Sequence, residues 1–215
     1  MASSKADTAS LFAAAETRLS CYTLTKSSPI PDSRIEEIVS FAVKHAPSSF
    51  NVQSARAVIL LKSSHDKLWS IADSLAKSTH PEAHEKMLGK MIGGFTGAYG
   101  TVLWLEDQEA LDGLAAKNPL FGNLVPQWGD HSSGMHQFIA WTALELEGLG
   151  CNLQHFNFMD EFEDAVKKEW ELPSTWKLKS QLVFGAPENG QLVRRKERTY
   201  APLEDRVKVF GHSLS

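Results

Sequence analysis

Apolar positions along the chain switch between two spacings. Residues 10–18 carry Leu11, Phe12 and a run of alanines and read as a first helix, preceded by a flexible tail over residues 1–9. Ser27-Ser28-Pro29-Ile30-Pro31 breaks any helix and reads as a loop. Beyond it Ile35, Ile38, Val39, Ala42 and Val43 recur at helical spacing. This predicts a helix over 34–45 with one buried face, opened by a Ser33/Glu36 capping box and ended by Pro47. Residues 56–61 are β-branched and apolar and predict a central strand, and Ser64 is placed to cap a helix bearing Leu68, Ile71, Ala72 and Leu75. Further strands are predicted over 101–106 and 179–186, and a helix from Asp160 with Phe162, Val166 and Trp170 one turn apart. The most apolar helix spans 131–148, with Phe138, Ile139, Thr142, Leu146 and Leu149 on one face, Asp130 as its cap, and Gly148 and Gly150 at its end. Two stretches show no period: 80–100, punctuated by glycines, and 107–130, which reads as loop-rich.

Strands and helices alternate with helices in excess, and no repeat or linker divides them. The expectation is one α+β domain over 1–215, a sheet covered by helices. Composition narrows the function. A formal net charge of −4 provides no basic surface for nucleic acid. No apolar run, Ala57-Val58-Ile59-Leu60-Leu61 included, approaches the roughly 18 residues of a membrane span. Cys21 and Cys151 are too few for a disulfide framework and suit a reducing compartment. The first 15 residues lack a basic cluster and a long apolar stretch, so no secretory signal is expected. The expected setting is the cytoplasm, with the nucleus left open.

Three polar constellations could carry chemistry. Arg18-Leu19-Ser20 near the start and Lys196-Glu197-Arg198 near the end supply three cations and a hydroxyl, the groups that hold a phosphate monoester. Ordinary surface charge reads the same way, and spacing alone does not bring the two ends together. Pro47-Ser48-Ser49-Phe50-Asn51-Val52-Gln53 crowds hydroxyls and amides, donors and acceptors at once, ahead of a buried strand. A serine turn satisfying its own backbone is the alternative. Gly148-Leu149-Gly150-Cys151-Asn152-Leu153-Gln154-His155-Phe156 ends an apolar helix and delivers polar beside apolar groups, as one wall for a planar ligand or as a plain helix cap. His80 and His84 stand four apart, but no HExxH or third ligand accompanies them, so no metal is expected. Asp130, His131 and His136 fit the start of the apolar helix better than acid–base work. No Gly-x-Ser-x-Gly, P-loop or Gly-x-Gly-x-x-Gly occurs, which removes support from serine hydrolases, nucleotidases and dinucleotide-fold dehydrogenases.

In order, these motifs resemble the nitroreductase family: Arg-x-Ser at 18–20, Pro-Ser-Ser-x-Asn-x-Gln at 47–53, a long helix ending in Gly-Leu-Gly at 148–150, and Lys-x-Arg at 196–198 followed by Pro202-Leu203-Glu204. The turn Asn152-Leu153-Gln154-His155-Phe156-Asn157 is most similar to the fungal fatty-acid-regulation branch and small bacterial relatives. Tyr22 stands where better-known members often carry a basic residue. The resemblance implies a central, mostly antiparallel sheet flanked by helices, and an intertwined homodimer with FMN at the interface. It implies that Arg18, Lys196 and Arg198, assisted by Ser20 beside Leu19, hold the phosphate. Ser48, Ser49, Asn51 and Gln53 would contact the flavin from the partner chain, and Leu153, Gln154 and His155 would back its ring. No catalytic side chain is implied, because flavin N5 carries the chemistry. Electrons would pass by a ping-pong mechanism from NAD(P)H to nitroaromatic or quinone-like oxidants. A flavin-binding regulator of lipid or stress responses, with little turnover, is the competing reading.

Overall fold

The computed structural model describes residues 7–193 and 196–211; residues 1–6 of the expected tail lie outside them. The first helix, α1 (Thr8–Thr17), begins inside that tail, because the Asp7 side chain accepts the Ala9 N–H and caps it. Strand β1 (Leu24–Thr25) and helix α2 (Asp32–His45) follow. The Ser33/Glu36 box does not form. Pro31 is the N-cap, the helix starts at Asp32, and Ser33 lies inside it. Strand β2 (Ala55–Leu61) leads through Lys62, in left-handed backbone, to α3 (Ser63–Thr79), so Ser64 is an interior residue and not a cap.

Most of the stretch 80–100 is helical. Pro81 occupies the first turn of α4 (Pro81–Ala83), a π-helical turn spans His84–Leu88, and α5 (Gly89–Thr96) continues to the next strand. Its glycines do not stop it because Leu88, Ile92 and Phe95 are buried along one face, and tertiary packing outweighs the glycine cost. After β3 (Gly100–Asp107), part of the expected loop is α6 (Gln108–Lys117), capped by the Asp107 carboxylate and held by buried Leu111 and Leu114. Helix α7 runs from Val125 to Leu146, so Asp130 lies within it and pairs with Lys179 at 2.7 Å. Phe138 and Leu146 of its expected buried stripe are exposed; Ser132, Ser133, His136, Ala140, Leu144 and Glu145 face the interior instead. Gly148, at φ +88°, turns the chain into β4 (Gly150–Gln154), a strand where a loop was expected. Helix α8 (Asp160–Glu169) and the long strand β5 (Trp176–Pro187) complete the core.

All four strand pairings are antiparallel. The order is β1-β5-β3-β2, and β4 also pairs with β5. The expected central strand, β2, is therefore at the edge; β5 and β3 hold the centre. Strand β3 is buried on both faces, which explains its unbroken apolar run. Leu103 and Leu105 enter a core shared with α3, α5 and α8, while Val102 and Trp104 enter one shared with α2 and α7. Each such fully buried leucine contributes about 1.5–3 kcal/mol relative to exposure. The α+β layering leaves α7 as a rod of roughly 33 Å at 1.5 Å per residue, and the polar constellations dock on it and on β4.

Candidate functional site

At the end of α1 the chain becomes extended and runs beside β4. Ser20 bridges Cys151, the Cys21 N–H donates to the Cys151 carbonyl at 2.7 Å, and Asn152 Nδ2 donates to the Cys21 carbonyl at 2.7 Å. From the other side, buried Leu19 donates its N–H to Glu145 Oε2 at 2.9 Å. Arg18, Leu19 and Ser20 are thereby fixed between α7 and β4. The Arg18 guanidinium lies 4.3 Å from the centre of the Trp141 ring, a cation–π contact that orients it without neutralising it. Arg198 donates to the Arg18 carbonyl. The two ends of the chain therefore meet, with Lys196 exposed two residues from that contact.

Glu145 and Trp141 are site-supporting residues that sequence reasoning missed. Trp141 Nε1 donates to Glu145 Oε1 at 2.8 Å, so both oxygens of the carboxyl accept N–H groups. Burial nevertheless outweighs those bonds and raises its pKa to about 7. The available signal was the i, i+4 spacing of an indole donor and a carboxylate within an apolar helix.

Along β4, Gln154 Nε2 donates to Asn152 Oδ1 at 2.8 Å, so Asn152 links the Gln154 side chain to the Arg-x-Ser segment. Leu153 packs against the α2/α7 core, and His155 is exposed just beyond the strand. These three expected residues thus sit on one short strand end, beside residues 18–21.

The 47–53 loop sits elsewhere. Ser132 Oγ, early in α7, donates to the Pro47 carbonyl at 3.0 Å. Ser48 Oγ accepts the Gln53 N–H at 3.0 Å, so Ser48 does build the serine turn considered as the alternative. Phe50, Asn51 and Gln53 hold φ of 53°, 53° and 51°, backbone that costs on the order of 1 kcal/mol or more at each non-glycine position. Among the described residues the side chains of Ser49, Asn51 and Gln53 make no hydrogen bond. Asn51 and Gln53 line a cavity of about 260 Å³ with Ser48, Arg56 and His136. Ser132, two turns into α7, and Glu145, near its C-terminus, stand roughly 20 Å apart along its axis. One chain therefore brings together residues 18–20, 153–155 and 196–198, and holds 48–53 away from them.

The sequence pattern of the nitroreductase family matches residues 15–186. The chain belongs to the nitroreductase family. It is similar to two proteins of Saccharomyces cerevisiae. HBN1 is 32% identical over 177 residues, 82% of this chain and 83% of that one; the nitroreductase FRM2 is 35% identical over 153 residues, 71% and 74% of the two chains. Among solved structures, the nitroreductase CinD of Lactococcus lactis in complex with chloramphenicol superposes with a TM-score of 0.83 at 35% identity, covering 93% of this chain and 98% of CinD. CinD also has structures with nicotinic acid and 4-nitrophenol. Membership of this nitroreductase family makes the protein an oxidoreductase of the fungal branch.

Proposed function

We propose that the protein is an FMN-dependent oxidoreductase that works as an intertwined homodimer and passes electrons from NAD(P)H to nitroaromatic or quinone-like acceptors. The observation that carries this reading is the meeting of Arg18 and Arg198, far apart in sequence, on a rigid edge of α7 and β4. Two guanidinium forks, the Ser20 hydroxyl and the nearby Lys196 ammonium suit a terminal phosphate. Leu19 anchors that cradle through Glu145. Leu153, Gln154 and His155 back a planar ring, and Ser48, Ser49, Asn51 and Gln53 reach it from the partner, since in their own chain they lie at the far end of α7. The hydroxyl of Ser49 and the amides of Asn51 and Gln53, none of them bonded among the described residues, fit a ring edge that presents donors and acceptors together. Bound there, FMN supplies two-electron chemistry between a reduced nicotinamide and an electron-poor acceptor.

The dimer is supported by apolar surface with no core of its own. Tyr200, Leu203, Val207, Val209 and Phe210 are all exposed, Phe210 at 91%, as are Met135, Phe138 and Leu146 on α7. The outer edge of β2 pairs with no strand among the described residues, so an extended tail from a second copy can complete the sheet there.

The visible spectrum of purified protein before and after anaerobic NAD(P)H tests this reading. Yellow protein that bleaches and turns over a nitroaromatic is expected, with parallel initial-rate lines because donor and acceptor share one pocket. Protein without chromophore that also fails to take up FMN overturns the reading, and bleaching without turnover favours a regulator. Arg198→Ala should lose flavin more readily on gel filtration; unchanged retention would remove its phosphate role.

A further inference from the structure

A second cavity, of about 350 Å³, opens between Tyr22 and one face of the 81–96 helical segment. Lys86, Met87, Lys90, Met91 and Gly94 line it, and their spacing of one and four residues places them on a single helix face. The cavity adjoins both parts of the proposed cofactor cradle. Tyr22 lies two residues after Ser20, and Phe95 at its base touches the ring of Phe156, the residue after His155, at 5.9 Å between centroids.

Three features indicate that this face is shaped for a ligand. First, the helix is locally widened. The π turn His84–Leu88 carries Lys86 and Met87, and it is pinned by His84 Nε2 on Asp73 at 2.6 Å. Second, Gly93 and Gly94 are exposed in the interior of α5, and a Cβ on either would meet nothing within 4 Å. No part of the chain needs glycine at these positions, but Gly94 leaves the cavity floor open to a flat group. Third, the chain has a net charge of −4, yet two exposed ammonium groups rim this cavity. Lys86 has only a 3.5 Å pairing with an exposed Glu82, and Lys90 forms no ion pair among the described residues.

We propose that this cavity is the acceptor subsite and that it selects aromatic substrates bearing an anionic group. The thioethers of Met87 and Met91 and the ring of Tyr22 cover the aromatic faces, and Lys90 and Lys86 pair with the anion. The inference rests on the oxidoreductase reading above and adds substrate charge to it.

Titration of the purified flavin-containing protein with 4-nitrobenzoate and with 4-nitrobenzamide, its neutral analogue of similar shape, tests the proposal by calorimetry without turnover. Wild type is expected to bind the carboxylate roughly fivefold tighter, about what one half-exposed ion pair gives. The Lys86→Met/Lys90→Met double variant, altered only at exposed side chains, should bring that ratio close to one. Gly94→Leu should weaken both ligands together by filling the floor. Equal affinities in wild type, or a ratio unchanged in the double variant, would overturn charge selection even if flavin is present and nitroaromatics are reduced. A preparation that binds no FMN would instead overturn the function reading, and the same titration of that preparation still measures the charge preference of the cavity.

Discussion

Glu145 shows how one residue can serve the site and burden the fold. Its carboxyl accepts the Leu19 N–H and the Trp141 indole, yet burial raises its pKa from 4.5 to about 7. The folded state therefore holds a proton that the unfolded chain releases. This contribution to stability is complete below pH 4.5 and is lost as pH rises through 7, on the order of 3 kcal/mol for a shift of that size. His65 acts in the opposite sense. Fully buried, with Nδ1 bonded to Thr101 Oγ1 and Nε2 to the Phe95 carbonyl, it is lowered to about 4 by desolvation. Its contribution is present above pH 6.5 and is lost as pH falls through 4. The two slopes oppose each other between pH 4.5 and 6.5, so wild type should show a shallow stability profile there. Glu145→Gln removes one slope. Urea denaturation should show the variant gaining up to about 3 kcal/mol relative to wild type between pH 4.5 and pH 8, and parallel profiles would contradict the assignment. The sequence displayed Arg18, Ser20 and Arg198 as candidates because their chemistry is visible in the side chain. It hid Glu145, whose importance comes from burial and from a partner 126 residues away.

At the scale of elements, periodicity located α2, α8, β3 and the body of α7, where apolar spacing and burial agree. It failed where glycine or a cap residue carried a second meaning. Segment 81–96 is helical despite its glycines, and the Asp107 cap that starts α6 lies directly at the end of a strand. Edge and centre were also not separable by composition, since the edge strand β2 is more apolar than β3 and only the pairing order places β3 inside the sheet. Two glycines test this account with opposite signs. At Gly93 a Cβ meets nothing, so Gly93→Ala should raise stability by about 0.5–1 kcal/mol through helix propensity. At Gly100 a Cβ would come within 2.5 Å of the Phe184 ring and 2.9 Å of Leu61, so Gly100→Ala should cost about 1–3 kcal/mol. Thermal melts of the two variants give the answer directly, and shifts of the same sign would refute it.

At the scale of the whole molecule, one chain is an incomplete solution to its own surface. Residues 199–211 expose Tyr200, Val207, Val209 and Phe210 and contribute nothing to either main core, while β2 leaves an open edge. A tail of this composition is unfavourable in water unless something covers it, and a second copy offers both a sheet edge and the exposed apolar side of α7. The same geometry holds residues 48–53 away from residues 18–20, by roughly 20 Å along α7 from Ser132 to Glu145, so one event, the crossing of two tails, would bury the apolar surface and complete two sites. Removal of residues 201–215 separates this from a tail that merely decorates the monomer. The truncated chain retains both main cores and should remain folded by circular dichroism, because the tail supplies none of their residues. It should sediment as a monomer where the full chain sediments as a dimer. It should also bind added FMN far more weakly, although Arg18, Lys196 and Arg198 are all still present, because the ring would lose its partner loop. A truncated chain that stays dimeric and retains full flavin affinity would show that each copy needs nothing from the other's tail.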